Sequence, residues 1–169
     1  YHRIMGFKPS QYQVVMVNCF GVEKGSERSL VAAGDAIYYK GVDGIYCYDG
    51  AVPYRISDEL GAIRYKNAVA GTMGERIFFE MEDSAGEKKV FVYDTLKKLW
   101  HVETPFSATA FLPAHGNLVA VLGDGLALVD GENVDEAFTQ AYPDIAMEQD
   151  FEWFGEFSDF GLSDPDAKY

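Results

Sequence analysis

Basic residues are scarce in this chain. Fourteen Lys and Arg face 27 Asp and Glu among 169 residues, for a formal net charge of −13. Nucleic-acid backbones and anionic membranes repel a chain of that sign, so neither is expected as a partner. Cysteine is scarcer still. Cys19 and Cys47 make no disulfide framework and no Cys-x-x-Cys pair, and they read as reduced core thiols. No apolar run approaches the about 18 residues of a spanning helix. The three histidines, His2, His101 and His115, form no i, i+4 pair, which removes zinc ligation by local spacing. Asp159, Asp164 and Asp166 lack the Asp-x-Asp-x-Asp-Gly pattern and distal Glu of an EF-hand. There is no Gly-x-Ser-x-Gly elbow, and no Gly-Lys-Ser/Thr follows Gly21 and Gly25. The expectation is a chain with no metal, no cofactor and no enzymatic activity.

What is present is β-structure. Hydrophobic residues make up 48% and charged residues 24%, the balance of a globular domain with a core. The sequence repeats itself. Tyr46-Cys47-Tyr48-Asp49-Gly50, Phe91-Val92-Tyr93-Asp94-Thr95 and Ala127-Leu128-Val129-Asp130-Gly131 are each an apolar run ending in Asp and a turn residue. A second apolar run precedes each: Ile37 to Tyr39, Ile77 to Phe79 and Leu118 to Val121. A small-residue run comes before that, at Leu30 to Gly34, Ala68 to Gly71 and Ala108 to Phe111. A more polar run follows at Pro53 to Ser57 and Lys98 to Val102; the third copy, Glu132 to Gln140, is weaker and compatible with helix. The polar insert Glu82 to Lys89 lengthens the middle repeat and reads as a hairpin loop.

Each unit reads as four short strands joined by turns, the size of one propeller blade. The fold class expected is all-β: repeated four-stranded antiparallel sheets, partly β-propeller-like, with about three blades. A β-sandwich with similar hairpins is the alternative. The expected division is an N-terminal segment 1–28, a candidate outer strand of a preceding blade; repeats at 29–66, 67–106 and 107–141; and an acidic aromatic segment 142–169 leading into a further module. Propellers typically close with about 4–8 blades. The chain also opens on Tyr1-His2-Arg3 without an initiator Met, so an excerpt of a longer polypeptide is expected.

Charge is uneven. Residues 130–169 hold 12 acids against one Lys, yet keep Phe151, Trp153, Phe154, Phe157 and Phe160. Glu152 to Phe157 reads as a strand with a solvated acidic face. Asp35, Asp49, Asp94 and Asp130 are candidate glycosidase-like carboxylates, which need a paired arrangement in a cleft. Because Asp49, Asp94 and Asp130 recur at one repeat position, capping of the following turn is the expected role. Tyr38, Tyr46, Tyr48 and Tyr54 are a candidate exposed binding patch. Sheets at the two ends of an unclosed set leave apolar faces, with Ile37, Tyr39, Ile45 and Cys47 at one end and Val119, Val121, Leu126 and Leu128 at the other. Cover from the flanking segments and from a second copy is expected.

Three stretches carry a family resemblance: His2-Arg3-Ile4-Met5-Gly6-Phe7-Lys8-Pro9-Ser10-Gln11, Gly21 to Leu30, and Tyr38-Tyr39 through Tyr48-Asp49-Gly50. They resemble structural proteins of tailed phages and of prophages in gut Firmicutes, which carry propeller-like repeats ahead of further β-rich modules. The resemblance covers roughly residues 1–105 and contains no catalytic motif. It implies a virion component of the tail or head-tail region, made in the bacterial cytoplasm. Its implied partners are other virion proteins and further copies of itself. A carbohydrate- or host-surface-binding propeller module is the alternative function.

Overall fold

The computed structural model describes residues 2–16, 18–61, 64–130, 140 and 145–146. These residues form four sheets. A two-stranded antiparallel hairpin pairs β1 (His2–Met5) with β2 (Gln13–Met16). Three four-stranded sheets follow, each with its strands in chain order. The first holds β3 (Val31–Ala33), β4 (Ala36–Gly41), β5 (Gly44–Tyr48) and β6 (Tyr54–Arg55). The second holds β7 (Lys66–Met73), β8 (Arg76–Glu82), β9 (Lys88–Asp94) and β10 (Leu99–Glu103). The third holds β11 (Ala110–Ala114), β12 (Asn117–Val121), β13 (Leu126–Asp130) and β14 (Ile145–Ala146).

The all-β class and the repeated sheets agree with the sequence reading, with two differences. The segment 11–20 contributes β2, which pairs with β1 in a two-stranded sheet. The fourth strand of the third sheet is β14, which runs parallel to β13. The 14 residues between β13 and β14 permit this, because a parallel return needs a connection of roughly a dozen residues or more. Of the stretch expected to supply that strand, 132–140, only residue 140 is described, and the strand expected at 152–157 lies outside the described residues. Finally, the polar insert of the middle repeat is a hairpin loop, as expected, but a shorter one, because its ends continue the strands. Glu82 pairs with Lys88 and Met81 with Lys89, and only 83–87 form the loop, with Asp83 Oδ1 accepting from the Ala85 and Glu87 amides.

The middle sheet is buried on both faces, which sets the architecture. Successive side chains of a strand point to opposite faces. From β8 and β9, Ile77, Phe79, Met81, Phe91 and Tyr93 pack with Tyr38, Ile45 and Cys47 of the first sheet. The alternate positions Phe78, Val90 and Val92 pack with Phe111, Leu118 and Ala120 of the third. Hence β8 and β9 read as near-continuous apolar runs, where a half-exposed strand would alternate. The small-residue strands β3 and β11 each lie against β7. Gly71 makes this approach feasible, since a Cβ there would meet the Phe111 Cβ at 2.4 Å.

The first sheet's outer face has a cover. Tyr39 and Tyr46 stack with centroids 5.7 Å apart, and Phe20 packs on Tyr46. The Tyr39 hydroxyl donates to the Phe20 carbonyl, and the Glu23 amide donates to the Lys40 carbonyl. Flanking residues 20–23 thus close part of the face expected to be open. Ile45 and Cys47, expected on that face, point inward to the second sheet, because the register puts them with Lys40 and Tyr38.

Candidate functional site

The repeated aspartates do not converge, and two of them cap turns. Asp94 Oδ1 accepts from the Leu96 and Lys97 amides at 3.0 and 2.8 Å. Those backbone donors, Lys97 first, hold its carboxyl below the usual value. Asp49 Oδ1 accepts from the Ala51 amide at 3.3 Å. Asp130 instead binds Arg76 of the second sheet, and the turn after it lies outside the described residues.

The tyrosine patch divides. Tyr38 and Tyr46 are buried, so they cannot present faces to a ligand; Tyr48 is half-buried and Tyr54 exposed. The reason is packing of the first sheet against neighbours on both faces, which the local pattern did not reveal. Tyr38 and Tyr54 instead surround the buried Cys47 thiol. Burial, followed by the neighbouring Cys47, raises Tyr38, and hydrogen bonding to Cys47 is the largest influence pushing Tyr54 up to about 12. Burial also raises Tyr46 to about 12, with its hydroxyl donating to Asp43 Oδ1 at 2.8 Å.

Depressions among the described residues include the following two. One, of about 230 Å³, opens between the first and second sheets beside Lys40, Asp43, Arg55, Asp58, Arg64 and Tyr65. Its charges are largely matched internally: Lys40 Nζ lies 2.9 Å from Glu23 Oε2, and Arg55 pairs with both Asp43 and Asp58. The other, of about 430 Å³, is a shallow groove along the small-residue strands, lined by Val31, Ala70, Thr72, Phe111 and Pro113. Arg28 at its rim donates to the Thr109 carbonyl at 2.6 Å and ties the end of the N-terminal segment to the third repeat. Among the described residues, no group of three or more His, Cys, Asp or Glu is placed to hold a metal ion.

The most exposed apolar surface is the N-terminal hairpin. Ile4, Val14 and Met16 are 66%, 64% and 70% exposed, and Phe7 in the connection is fully exposed. The register places His2, Ile4, Val14 and Met16 on one face of this small sheet. Its exposure was not foreseen. The available signal was two short apolar runs around Pro9-Ser10, in a segment with no further run to cover them.

Searches against protein-family models, curated proteins and solved structures gave no match.

Proposed function

We propose that the chain is a non-catalytic structural component of a phage or prophage virion, in the tail or head-tail region, working through protein–protein contacts. In this reading the three stacked sheets are successive blades of a partial propeller, and other virion proteins or further copies complete it. The observation that carries the assembly reading is the exposed hairpin. Its Ile4, Val14 and Met16 are exposed on one face and Phe7 is fully exposed beside them, a grouping of the kind that marks interaction sites. The virion context rests on the resemblance of residues 1–105 to phage structural proteins.

The carbohydrate-binding alternative has less support, because burial of Tyr38 and Tyr46 removes half of the aromatic platform it needs. A glycosidase reading has less again, because Asp49 and Asp94 cap turns and Asp130 holds Arg76.

The test is sedimentation velocity on the purified chain across a concentration series reaching about 100 µM, where even weak specific contacts populate. Association that grows with concentration is the expected result. A species of 18.8 kDa throughout overturns the assembly reading.

A further inference from the structure

We propose that β2 pairs edge to edge with β2 of a second copy across a two-fold axis, so that two hairpins form one four-stranded antiparallel sheet. This deepens the assembly reading above and rests on it.

The hairpin is an incomplete sheet with two apolar faces. It has two strands of four residues each, and both outer edges are unpaired among the described residues. Ile4, Val14 and Met16 are exposed on one face, Met5 and Val15 on the other. None of these residues joins a core cluster of the body. An isolated two-stranded hairpin is marginal in water, and further strands that share an apolar face stabilise it.

The two edges differ. β1 contains His2 and Arg3, whereas β2, Gln13-Val14-Val15-Met16, contains no charged residue. Charge on an edge strand guards against pairing, and an uncharged edge leaves its row of backbone donors and acceptors as a template. Val14 and Val15 are β-branched and suit an inner strand, the place β2 takes once its second edge is filled.

Pattern, symmetry and charge make a second copy the occupant. A strand that extends both faces of the hairpin must itself be apolar on both, and β2 is such a strand. A two-fold axis normal to the sheet sets β2 antiparallel to its copy. It also keeps Ile4, Val14 and Met16 of both hairpins on one face. The product has four strands, as each of the other three sheets has. The chain carries a net charge of −13, yet residues 2–16 contain no Asp or Glu, so two copies approach there with the least repulsion. A contact between four-residue strands belongs to the small class of interfaces, below about 1,200 Å², so the dimer is weak. Because the same edge is used by both copies, the contact closes at two.

The test uses two full-length variants, Val15→Asp and Val15→Lys. Near the axis, position 15 meets itself or a near neighbour in the other copy, so each variant sets like charges against one another. Circular dichroism and thermal melting confirm that each retains the folded body. In sedimentation velocity the unmodified chain forms a dimer as concentration rises. Each variant alone dimerises about tenfold more weakly or worse, a cost of about 1.4 kcal/mol or more. An equal mixture of the two recovers the dimer, because opposite charges then meet. Association of both variants at the level of the unmodified chain overturns the pairing, while leaving the assembly reading standing. A mixture no better than either variant alone does the same, because it places the hairpin against a different surface. Growth of the unmodified chain past a dimer overturns the closed pairing. An unmodified chain that is monomeric throughout overturns both.

Discussion

Arg76 at the start of β8 holds Asp130 at the end of β13: Nη2 lies 2.8 Å from Oδ1 and 2.7 Å from Oδ2. The two residues are 54 apart in the chain and belong to adjacent sheets. The carboxylate at this repeat position therefore does different work in the third unit. In the second unit it organises its own turn, and in the third it anchors one sheet to the next.

This pair has a measurable consequence. Arg76 is half-exposed, so solvent screens the attraction and the contribution is about 1 kcal/mol or less. Asp130→Ala is expected to lower the melting temperature by roughly 2–4 °C for a chain of this size. A double-mutant cycle with Arg76→Ala should recover most of that loss as coupling. Additive single effects would show that the contact contributes nothing.

Phe78 and Phe79 give the sharpest test of the stacking. They are adjacent on β8 and point in opposite directions, yet both are at most 1% exposed. Either residue changed to Ala is expected to cost about 3–5 kcal/mol in urea denaturation. A sheet with one solvated face would make one of the two substitutions nearly neutral.

Gly71 tests the close approach of β7 to β11. An added Cβ would lie 2.4 Å from the Phe111 Cβ and 2.9 Å from Leu118 Cδ1. Gly71→Ala is therefore expected to destabilise by about 1–3 kcal/mol, as overpacking does, despite the usual strand preference for Ala over Gly. Adding Phe111→Leu should not recover the loss, because leucine keeps the Cβ that the new methyl would meet. An unchanged denaturation midpoint in Gly71→Ala would mean the strands are farther apart.

Asp94 predicts a pH dependence. Its folded pKa lies below the unfolded value of 3.8, chiefly because the Lys97 amide donates to the carboxylate. The sign follows by linkage: the stabilisation is complete above the unfolded value and fades as pH falls toward and through the folded one. Urea midpoints of the unmodified chain and of Asp94→Ala should differ at neutral pH and converge in acid below the folded pKa. A gap that persists there would show that the cap does not depend on ionisation.

Strands were legible because they are local. The apolar runs at 37–39, 46–48, 77–79, 91–93 and 118–121 all lie in or at the boundaries of β4, β5, β8, β9 and β12. The small-residue runs likewise fall in or overlap β3, β7 and β11. Alternation, turn residues and the repeat of Asp encode these elements within a few residues. Turn capping at Asp49 and Asp94 was equally readable, since donor and acceptor are two or three residues apart.

The candidate surfaces were read less well. Tyr38 and Tyr54 occupy similar sequence contexts, yet the first is buried against Tyr93 and the second is exposed on the short strand β6. Nothing within a few residues of Tyr38 specifies that neighbour, which is 55 positions away. The parallel β14 was invisible for a related reason: strand direction depends on how a long connection returns, and only the pairing partner fixes that.

The sequence by itself determined the all-β class, the four-strand period and the turns. Tertiary structure decided which faces are closed. It put Phe78 and Phe79 into two different cores, turned Cys47 inward, gave Asp130 to Arg76 and left Ile4, Val14 and Met16 uncovered. Hydrogen bonding within a meander is set by neighbouring residues, whereas burial depends on which sheet arrives from far along the chain.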